Sequence, residues 1–426
     1  MGELFAVLGS MVLVLSRWLP AAARRPAALT AVGVVAAGAA LTLPAPPWQL
    51  LPVLAADLLV GAGWLLHRRS GRRARRRLVL PASAVCLALI AVGAGAAWAL
   101  PVPEFPEPTG ASAVGTTVTQ WSDPARARRA VVVQLWYPAQ AAGPGAQYLG
   151  RTRQEADTVA AAEAAYLGAP AFLLDGPARA HSHATFGAAP AAGRFPVVLF
   201  SPGLGGVRTQ NTAWAEDLAS RGYVVAGVDH PYDSAAVVLD DGRVLRTRIT
   251  ADGDRAGWIA ARAADLSFAL TRLGELGQAD TTRAAATGHS IGGAAAMRAA
   301  ERDPRFSAVI NLDGGPDTGQ GPLRQPVLAL THEIKDQADA DYVALLSKIL
   351  KGGSGPGYLV TVPGSAHLTF TDAPLFLPPV PSLVGSLGRA GSVRMTTETC
   401  AAFLDFALRG RSADDLTRLT RGIMVK

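Results

Sequence analysis

Four apolar stretches, roughly Leu4–Leu19, Ala27–Leu43, Trp48–Leu66 and Leu78–Leu100, open the chain with few charges inside them. Each is close to the ~20 residues a helix needs to cross a bilayer. They predict an all-helical transmembrane domain of about four spans over residues 1–100. Pro101–Pro108 (PVPEFPEP) then reads as a stiff, proline-rich linker. From residue 109 to 426 the period changes, and short β-type runs alternate with helical ones. Ala130–Tyr137, Val197–Ser201, Tyr223–Asp229, Ala308–Leu312, Val327–Thr331 and Tyr358–Val362 read as strands. Gln154–Leu167, Asn211–Ser220, Trp258–Leu273 and Thr396–Leu408 read as helices, and Val237–Leu245 as a hairpin turned at Asp241-Gly242. Strands separated by helices predict an α/β domain with a doubly wound, mostly parallel sheet. The Ala/Gly-rich segment Ala141–Gly193 is either a cap over a site or a surface excursion.

Charge divides the chain at the same place. Residues 1–100 hold ten arginines against Glu3 and Asp57, a net of +8, while the remainder carries 30 basic and 31 acidic residues. The sequence pI near 9.8 therefore belongs to the apolar part. A nucleic-acid partner would need a basic face on the folded domain, and the neutral balance removes it. The arginines fall in two clusters, Arg17/Arg24/Arg25 and Arg68–Arg77, which places those loops in the cytoplasm. With four spans, both termini and the whole second domain lie outside, in a multi-pass protein of the cell membrane. Asp57 stands mid-span, where an ionised carboxylate is costly. The preferred reading is a hydrogen-bonded side chain between helices. Cys86 and Cys400 sit in an apolar run and a helix, so no disulfide framework is expected.

The chemistry centres on Gly288-His289-Ser290-Ile291-Gly292-Gly293. A serine nucleophile of this kind stands on a tight strand-to-helix turn, where flanking glycines let the backbone pass close by. Ala284–Thr287 is the strand before it, an alanine-rich one, and Gly293–Glu301 is a strong helix former. A glycine-rich turn that only packs would share the pattern, so the remaining parts decide. Ser201-Pro202-Gly203-Leu204-Gly205-Gly206 follows a buried-type strand, where a backbone N–H can face a developing oxyanion together with the N–H of Ile291. Of seven histidines, His67, His181, His183, His230 and His289 precede Ser290, against the chain order serine, acid, histidine. His332 ends a strand in a slot usual for the acid. His367 lies in the loop after Tyr358–Val362 and is the expected base. Asp313, Glu333 and Asp336 all follow strands, and spacing alone leaves the acid open among them. No His/Cys/carboxylate cluster suggests a metal, and these parts need no cofactor.

From Thr109 to Gly410 the chain resembles the platelet-activating factor acetylhydrolase family of serine esterases. The resemblance is carried by Thr109-Gly110 with Val114-Gly115, Leu135-Trp136-Tyr137-Pro138, and Leu199-Phe200-Ser201-Pro202-Gly203-Leu204-Gly205-Gly206-Val207-Arg208. Further on it is carried by Gly288–Gly293, Leu312-Asp313, and Gly364-Ser365-Ala366-His367 running to Phe370-Thr371-Asp372. It implies an α/β-hydrolase fold, a lipid or short-chain acyl ester as substrate, Ser290, Asp313 and His367 as the catalytic residues, and Leu204 as an oxyanion donor beside Ile291. The chain departs at Pro202, where the family usually has His, which leaves the Leu204 N–H but changes the wall beside it. Polyester- and lipid-cleaving bacterial hydrolases share much of the pattern with their acid later, near Asp336. A different class, a membrane sensor whose hydrolase-like domain only binds, would account for the large apolar anchor. The apolar loop Ala373–Val384, with Leu375, Phe376, Leu377, Val380 and Leu383, is expected to line the acyl site, touch the bilayer or fill the core.

Overall fold

A computed structural model describes residues 2–42, 47–70, 76–250, 253–317, 319–420 and 424–425. The chain divides into two compact units, Met1–Pro101 and Val102–Lys426.

The first unit holds helices Gly2–Leu15, Ala21–Thr42, Leu51–Ser70 and Arg76–Ala99. Among the described residues three stretches are long and apolar enough to cross a membrane: Ala21–Thr42, Trp48–Leu66 and Val79–Ala99. The expected first span falls short of that length. Its helix ends at Leu15 and tightens into a 3₁₀ turn at Ser16–Trp18, where the Arg17 guanidinium donates to the Val60 carbonyl at 2.9 Å. Outward faces carry Leu29, Leu41, Leu58, Leu66 and Trp98, while Ser10 donates to Asp57 at 2.8 Å between two helices. Apolar outside and hydrogen-bonded inside is the arrangement lipid selects. Residues 43–46, and Arg72, Arg73 and Arg75 of the arginine cluster, lie outside the described residues.

The second unit is built on one eleven-stranded sheet. Its strands are β1 (Ala113–Asp123), β2 (Arg129–Ala139), β3 (Gly145–Gln147), β4 (His181–Phe186), β5 (Phe195–Ser201) and β6 (Val224–Asp229). Beyond a separate hairpin of β7 (Ala236–Val238) and β8 (Val244–Arg246) come β9 (Ala279–His289), β10 (Phe306–Leu312), β11 (Val327–Thr331), β12 (Gly357–Thr361) and β13 (Met424–Val425). The spatial order is β13-β12-β11-β10-β9-β5-β6-β2-β1-β4-β3. The run from β12 to β6 is parallel throughout, and β2 joins β6 antiparallel. Both faces are covered, which explains the unbroken hydrophobic run of β5. Val197 and Leu199 meet helices Arg255–Leu273 and Ile291–Arg302 on one side. Val198 and Phe200 meet Trp214 and Leu218 of helix Thr212–Ser220 on the other, with Phe403 and Leu404 of helix Arg389–Arg409 in the same cluster.

The alanine-rich strand before Ser290 is no weak edge. It is the eleven-residue β9, in the middle of the sheet, with Ala284, Ala285 and Ala286 wholly buried. Ala296, Ala299 and Ala300 of helix Ile291–Arg302 lie in one core cluster with Ala284 and Ala286. Small residues on both elements let strand and helix approach closely, and that context outweighs alanine's poor strand propensity. The Ala/Gly-rich segment supplies helix Arg153–Tyr166 with β3 and β4. Its Tyr166 ring lies against Gly205, where a Cβ would come within 2.4 Å of it. In the loop after His367, Leu375 and Phe376 join a core cluster with Tyr148, Leu174 and Val393, while Val380 and Leu383 stay exposed.

Candidate active site

The C-terminal ends of the parallel strands gather Leu204 (after β5), Ser290 (after β9), Asp313 (after β10), His332 (after β11) and His367 (after β12). An open parallel sheet places its ligands at this edge. Ser290 bridges β9 and helix Ile291–Arg302 with φ 55° and ψ −126°. That backbone region costs a side-chain-bearing residue of order 1–3 kcal/mol and persists only where neighbours enforce it. Here the Ser290 N–H donates to the Leu312 carbonyl, and the Ser290 carbonyl accepts from Gly293, both at 2.9 Å. The two outer glycines of the motif are steric necessities. A Cβ on Gly292 would lie 2.0 Å from the Ser201 carbonyl oxygen, and one on Gly288 would lie 2.3 Å from Gly292.

The turn presents Ser290 Oγ 3.0 Å from His367 Nε2, and His367 Nδ1 lies 2.6 Å from Asp313 Oδ2. Asp313 is buried and itself adopts φ 54°, in a turn clamped by Asn311, whose side chain bonds both the N–H and the carbonyl of Gly314. His367 is about half exposed, its side chain at 47%. His289, inside the serine motif, is buried and points its Nε2 at the His367 carbonyl at 2.9 Å. Burial and the neighbouring His367 push its pKa down to about 3, so it is neutral and donates that proton to the carbonyl. Of the three candidate acids, the structure brings only Asp313 to His367. Asp336 caps helix Gln337–Gly352 by accepting from the Asp339 N–H at 3.0 Å. No contact between Glu333 and His367 is found among the described residues.

The slot after β11, usual for the acid, holds His332, and the helix that follows adds Asp339 and Tyr342, which no sequence pattern marks. His332 Nδ1 lies 2.8 Å from both Asp313 oxygens, its Nε2 lies 3.0 Å from Asp339 Oδ1, and its ring stacks on Tyr342. The hydrogen bond to Asp313 is the main reason its pKa rises, to about 9. Burial alone would push the Asp313 carboxyl up. Hydrogen bonds from His332 and His367 outweigh it and hold the group well below the usual carboxylate range. Asp313, His332 and His367 bring potential metal-ligand atoms within 4.8 Å of one another. Their contacts of 2.6–2.8 Å are proton-sharing distances. Ligands around a tetrahedral zinc stand about 3.3 Å apart, given bonds of ~2.0 Å. The set is a hydrogen-bonded relay.

The loop after β5 is held from beneath by Arg262, a fully buried guanidinium that sequence periodicity assigned merely to a helix. It donates to the carbonyls of Pro202 (2.5 Å) and Gly203 (3.1 Å) and to Ser201 Oγ (3.1 Å), and pairs with Asp233. A trans peptide points its C=O and N–H in opposite directions. Turning the Gly203 carbonyl toward Arg262 therefore turns the Leu204 N–H away from it. The Ile291 N–H opens a helix and has no partner within that helix. Neither N–H donates to another group among the described residues. Leu204 is 36% exposed at this edge.

A parallel-centred sheet with a strained serine turn, a histidine after the last parallel strand and a glycine loop after β5 defines the α/β-hydrolase class. Within that class the chain belongs to the family described as platelet-activating factor acetylhydrolase, isoform II, whose sequence model matches residues 101–263 and 252–409. It is 28% identical over 240 residues to a "Probable 1-alkyl-2-acetylglycerophosphocholine esterase" of Arthroderma benhamiae, across 51% of this chain and 61% of that protein. It is 26% identical over 226 residues to the "Platelet-activating factor acetylhydrolase" of Gallus gallus, across 42% of this chain and 53% of that one. The chain thus spans little more than half the length of these relatives. Among solved structures, a ferulic acid esterase from Streptomyces cinnamoneus superposes with TM-score 0.66 at 31% identity, covering 76% of this chain and all of its own.

Proposed function

We propose that this chain is a serine-dependent carboxylic-ester hydrolase acting on lipid or short-chain acyl esters. The observation that carries it is the unbroken line from Ser290 Oγ through His367 to Asp313, at 3.0 and 2.6 Å, on a strained turn. Ser290 attacks the ester carbonyl while His367 Nε2 takes its proton. Asp313 accepts from Nδ1–H, fixing the tautomer and steadying the imidazolium. The N–H groups of Leu204 and Ile291 receive the oxyanion, each worth ~3 kcal/mol of barrier. His367 then passes its proton to the leaving alcohol, and water releases the acyl group from Ser290.

The substrate class is supported by similar proteins named for an acetylated alkyl glycerophosphocholine and for a ferulate ester, both of which present an acyl carbonyl on an ester oxygen. Residues 1–100 form the membrane anchor, counted as four spans if the short Gly2–Leu15 helix also inserts. Residues 101–108 are the linker, which packs onto the second unit through Phe105, buried against Tyr148, and 109–426 are the catalytic domain, placed outside the cytoplasm by the arginine bias. The full chain in detergent micelles, tested on p-nitrophenyl esters from acetate to palmitate and with a fluorophosphonate probe, decides the reading. Hydrolysis and labelling, both lost in Ser290→Ala, are expected. A folded wild type that neither hydrolyses nor labels would make the domain a binding module.

A further inference from the structure

We propose that His332 is a positioning residue which, clasped between Asp313 and Asp339, extends the Ser290–His367–Asp313 line into a five-membered relay and sets the pH at which His367 starts to work as a base. The inference rests on the esterase reading above.

The geometry makes His332 a cation. Both ring nitrogens face carboxylate oxygens, Nδ1 toward Asp313 at 2.8 Å and Nε2 toward Asp339 at 3.0 Å. A carboxylate only accepts, so each nitrogen must bring a proton. The shift to about 9 agrees. Every element around the ring contributes to this reading. Helix Gln337–Gly352 supplies Asp339 and the stacked Tyr342, whose hydroxyl lies 3.4 Å from Asp313. The loop after β10 supplies Asp313, and the turn after β12 supplies His367, ring centroid 6.5 Å away. Helix Arg255–Leu273 brings Arg255, which donates to the Gly315 carbonyl two residues past Asp313. Within its own loop, His332 is followed by Glu333 and Lys335, and the Lys335 N–H bonds Asp339. The His332 N–H also donates to Asp313 at 3.0 Å. Asp313 is thus committed on both sides, and its partner is fixed in turn by a second acid.

The consequence is a charge count. Asp313, His332 and Asp339 together carry −1 when His332 is protonated, and that residual charge is what His367 meets when it accepts the serine proton. Removing only the cation leaves −2, so the imidazolium of His367 is favoured in the free enzyme and the base is occupied up to a higher pH. Removing only Asp339 leaves zero and does the reverse. Removing both restores −1. Two unit charges 6.5 Å apart, at an effective dielectric near 20, shift a titration by about two pH units. Solvent screening at the half-exposed His367 brings this to roughly one.

The test is the acid limb of kcat/KM on p-nitrophenyl acetate, using the full chain in detergent. Fluorophosphonate labelling stoichiometry counts folded sites in every variant. Asn at 332 can still donate to Asp313 from near the Nδ1 position, without the charge. His332→Asn should move the limb up by about one pH unit, Asp339→Asn down by a few tenths, and the double variant back near wild type. A structural role alone would lower activity or thermal stability without moving the limb. Asp339 lies at the partly exposed start of its helix, so Asp339→Asn keeps the test open if His332→Asn fails to fold. An unmoved limb in every single variant that folds, or a double variant no nearer wild type than His332→Asn, overturns the relay. Wild type that neither labels nor hydrolyses overturns the esterase reading instead.

Discussion

Replacing Arg262 with Met removes a buried guanidinium that holds two carbonyls of the loop bearing Leu204. Two separable losses follow. Asp233, buried and paired with Arg262, becomes an uncompensated charge, and breaking such a pair from one side costs about 3–5 kcal/mol. For a domain of this size that lowers Tm by roughly 5–15 °C. The second loss is catalytic. Without Arg262 the Gly203 carbonyl keeps only the Gly206 N–H at 3.0 Å, so the Gly203–Leu204 peptide is held less firmly and the Leu204 N–H is less well fixed for the oxyanion. Loss of one such donor costs about 10²–10³ in kcat. The double variant Arg262→Met/Asp233→Leu separates the two effects, because it removes the stranded carboxylate without restoring the hold on the carbonyls. Its Tm should recover most of the loss, while kcat on p-nitrophenyl acetate stays at least about 50-fold down with KM little changed. Recovery of kcat together with Tm would refute the idea that Arg262 sets the loop's peptide plane.

The other expectations are more direct. Asp313→Asn should lower kcat by about 10⁴ through the wrong imidazole tautomer, whereas Asp336→Asn, which alters a helix cap, should keep activity within a fewfold and cost about 1 kcal/mol of stability. The reverse result in one esterase assay would move the acid to the later strand. Thermal unfolding against pH should peak near neutrality. His332, raised from 6.5 to about 9, contributes stability that is complete below pH 6.5 and fades as pH rises through 9, a loss of order 1–3 kcal/mol. His289, lowered to about 3 by burial, contributes stability present above pH 6.5 and lost as pH falls toward 3. His332→Asn should flatten the alkaline side only. Protease added to intact cells should remove a C-terminal tag, and protection until the membrane is opened would reverse the orientation.

Much of this site could be read from the chain because its residues stand at strand ends in a fixed order. Ser290 lies in a glycine pattern whose spacing reflects close backbone approach, and His367 follows the last parallel strand. What stayed hidden depends on contacts across the sheet. Arg262 lies within a helix whose apolar face was evident, but nothing in a 3.6-residue period says that a charged residue beside that face reaches the Pro202 and Gly203 carbonyls. His332, Asp339 and Tyr342 are ordinary polar residues until two elements meet, and helix Gln337–Gly352 was not expected. Strand β1 escaped because its pairing with β2 over eleven residues leaves it half exposed, with a mixed pattern of Thr, Gln and Ser. The first apolar stretch is shorter as a helix than its hydropathy suggested. The regular helix stops at Leu15 and passes through a 3₁₀ turn at Ser16–Trp18 to an extended Leu19, the conformation favoured before Pro20.

The same three residue types occur a second time in nearly the same geometry. Ser201 Oγ lies 2.9 Å from His230 Nε2, and His230 Nδ1 lies 2.9 Å from Asp265 Oδ2. Distance and residue identity therefore do not by themselves define a nucleophile. Ser201 ends a regular strand and is wholly buried, and so are His230 and Asp265. Burial, with the charge of Arg262 next, lowers the proton affinity of His230, which suits a fixed neutral ring. Asp265 also serves Arg129 and Arg126, so its charge is already shared. Ser201 meets Arg262 at 3.1 Å, which ties this buried line to the guanidinium that holds the Pro202 and Gly203 carbonyls. One line ends on a strained, accessible turn whose base is half exposed, and it can exchange protons with a substrate. The other is sealed and can only hold backbone in place, so Ser201→Ala should leave fluorophosphonate labelling at one site per chain while slowing turnover through the loop it supports.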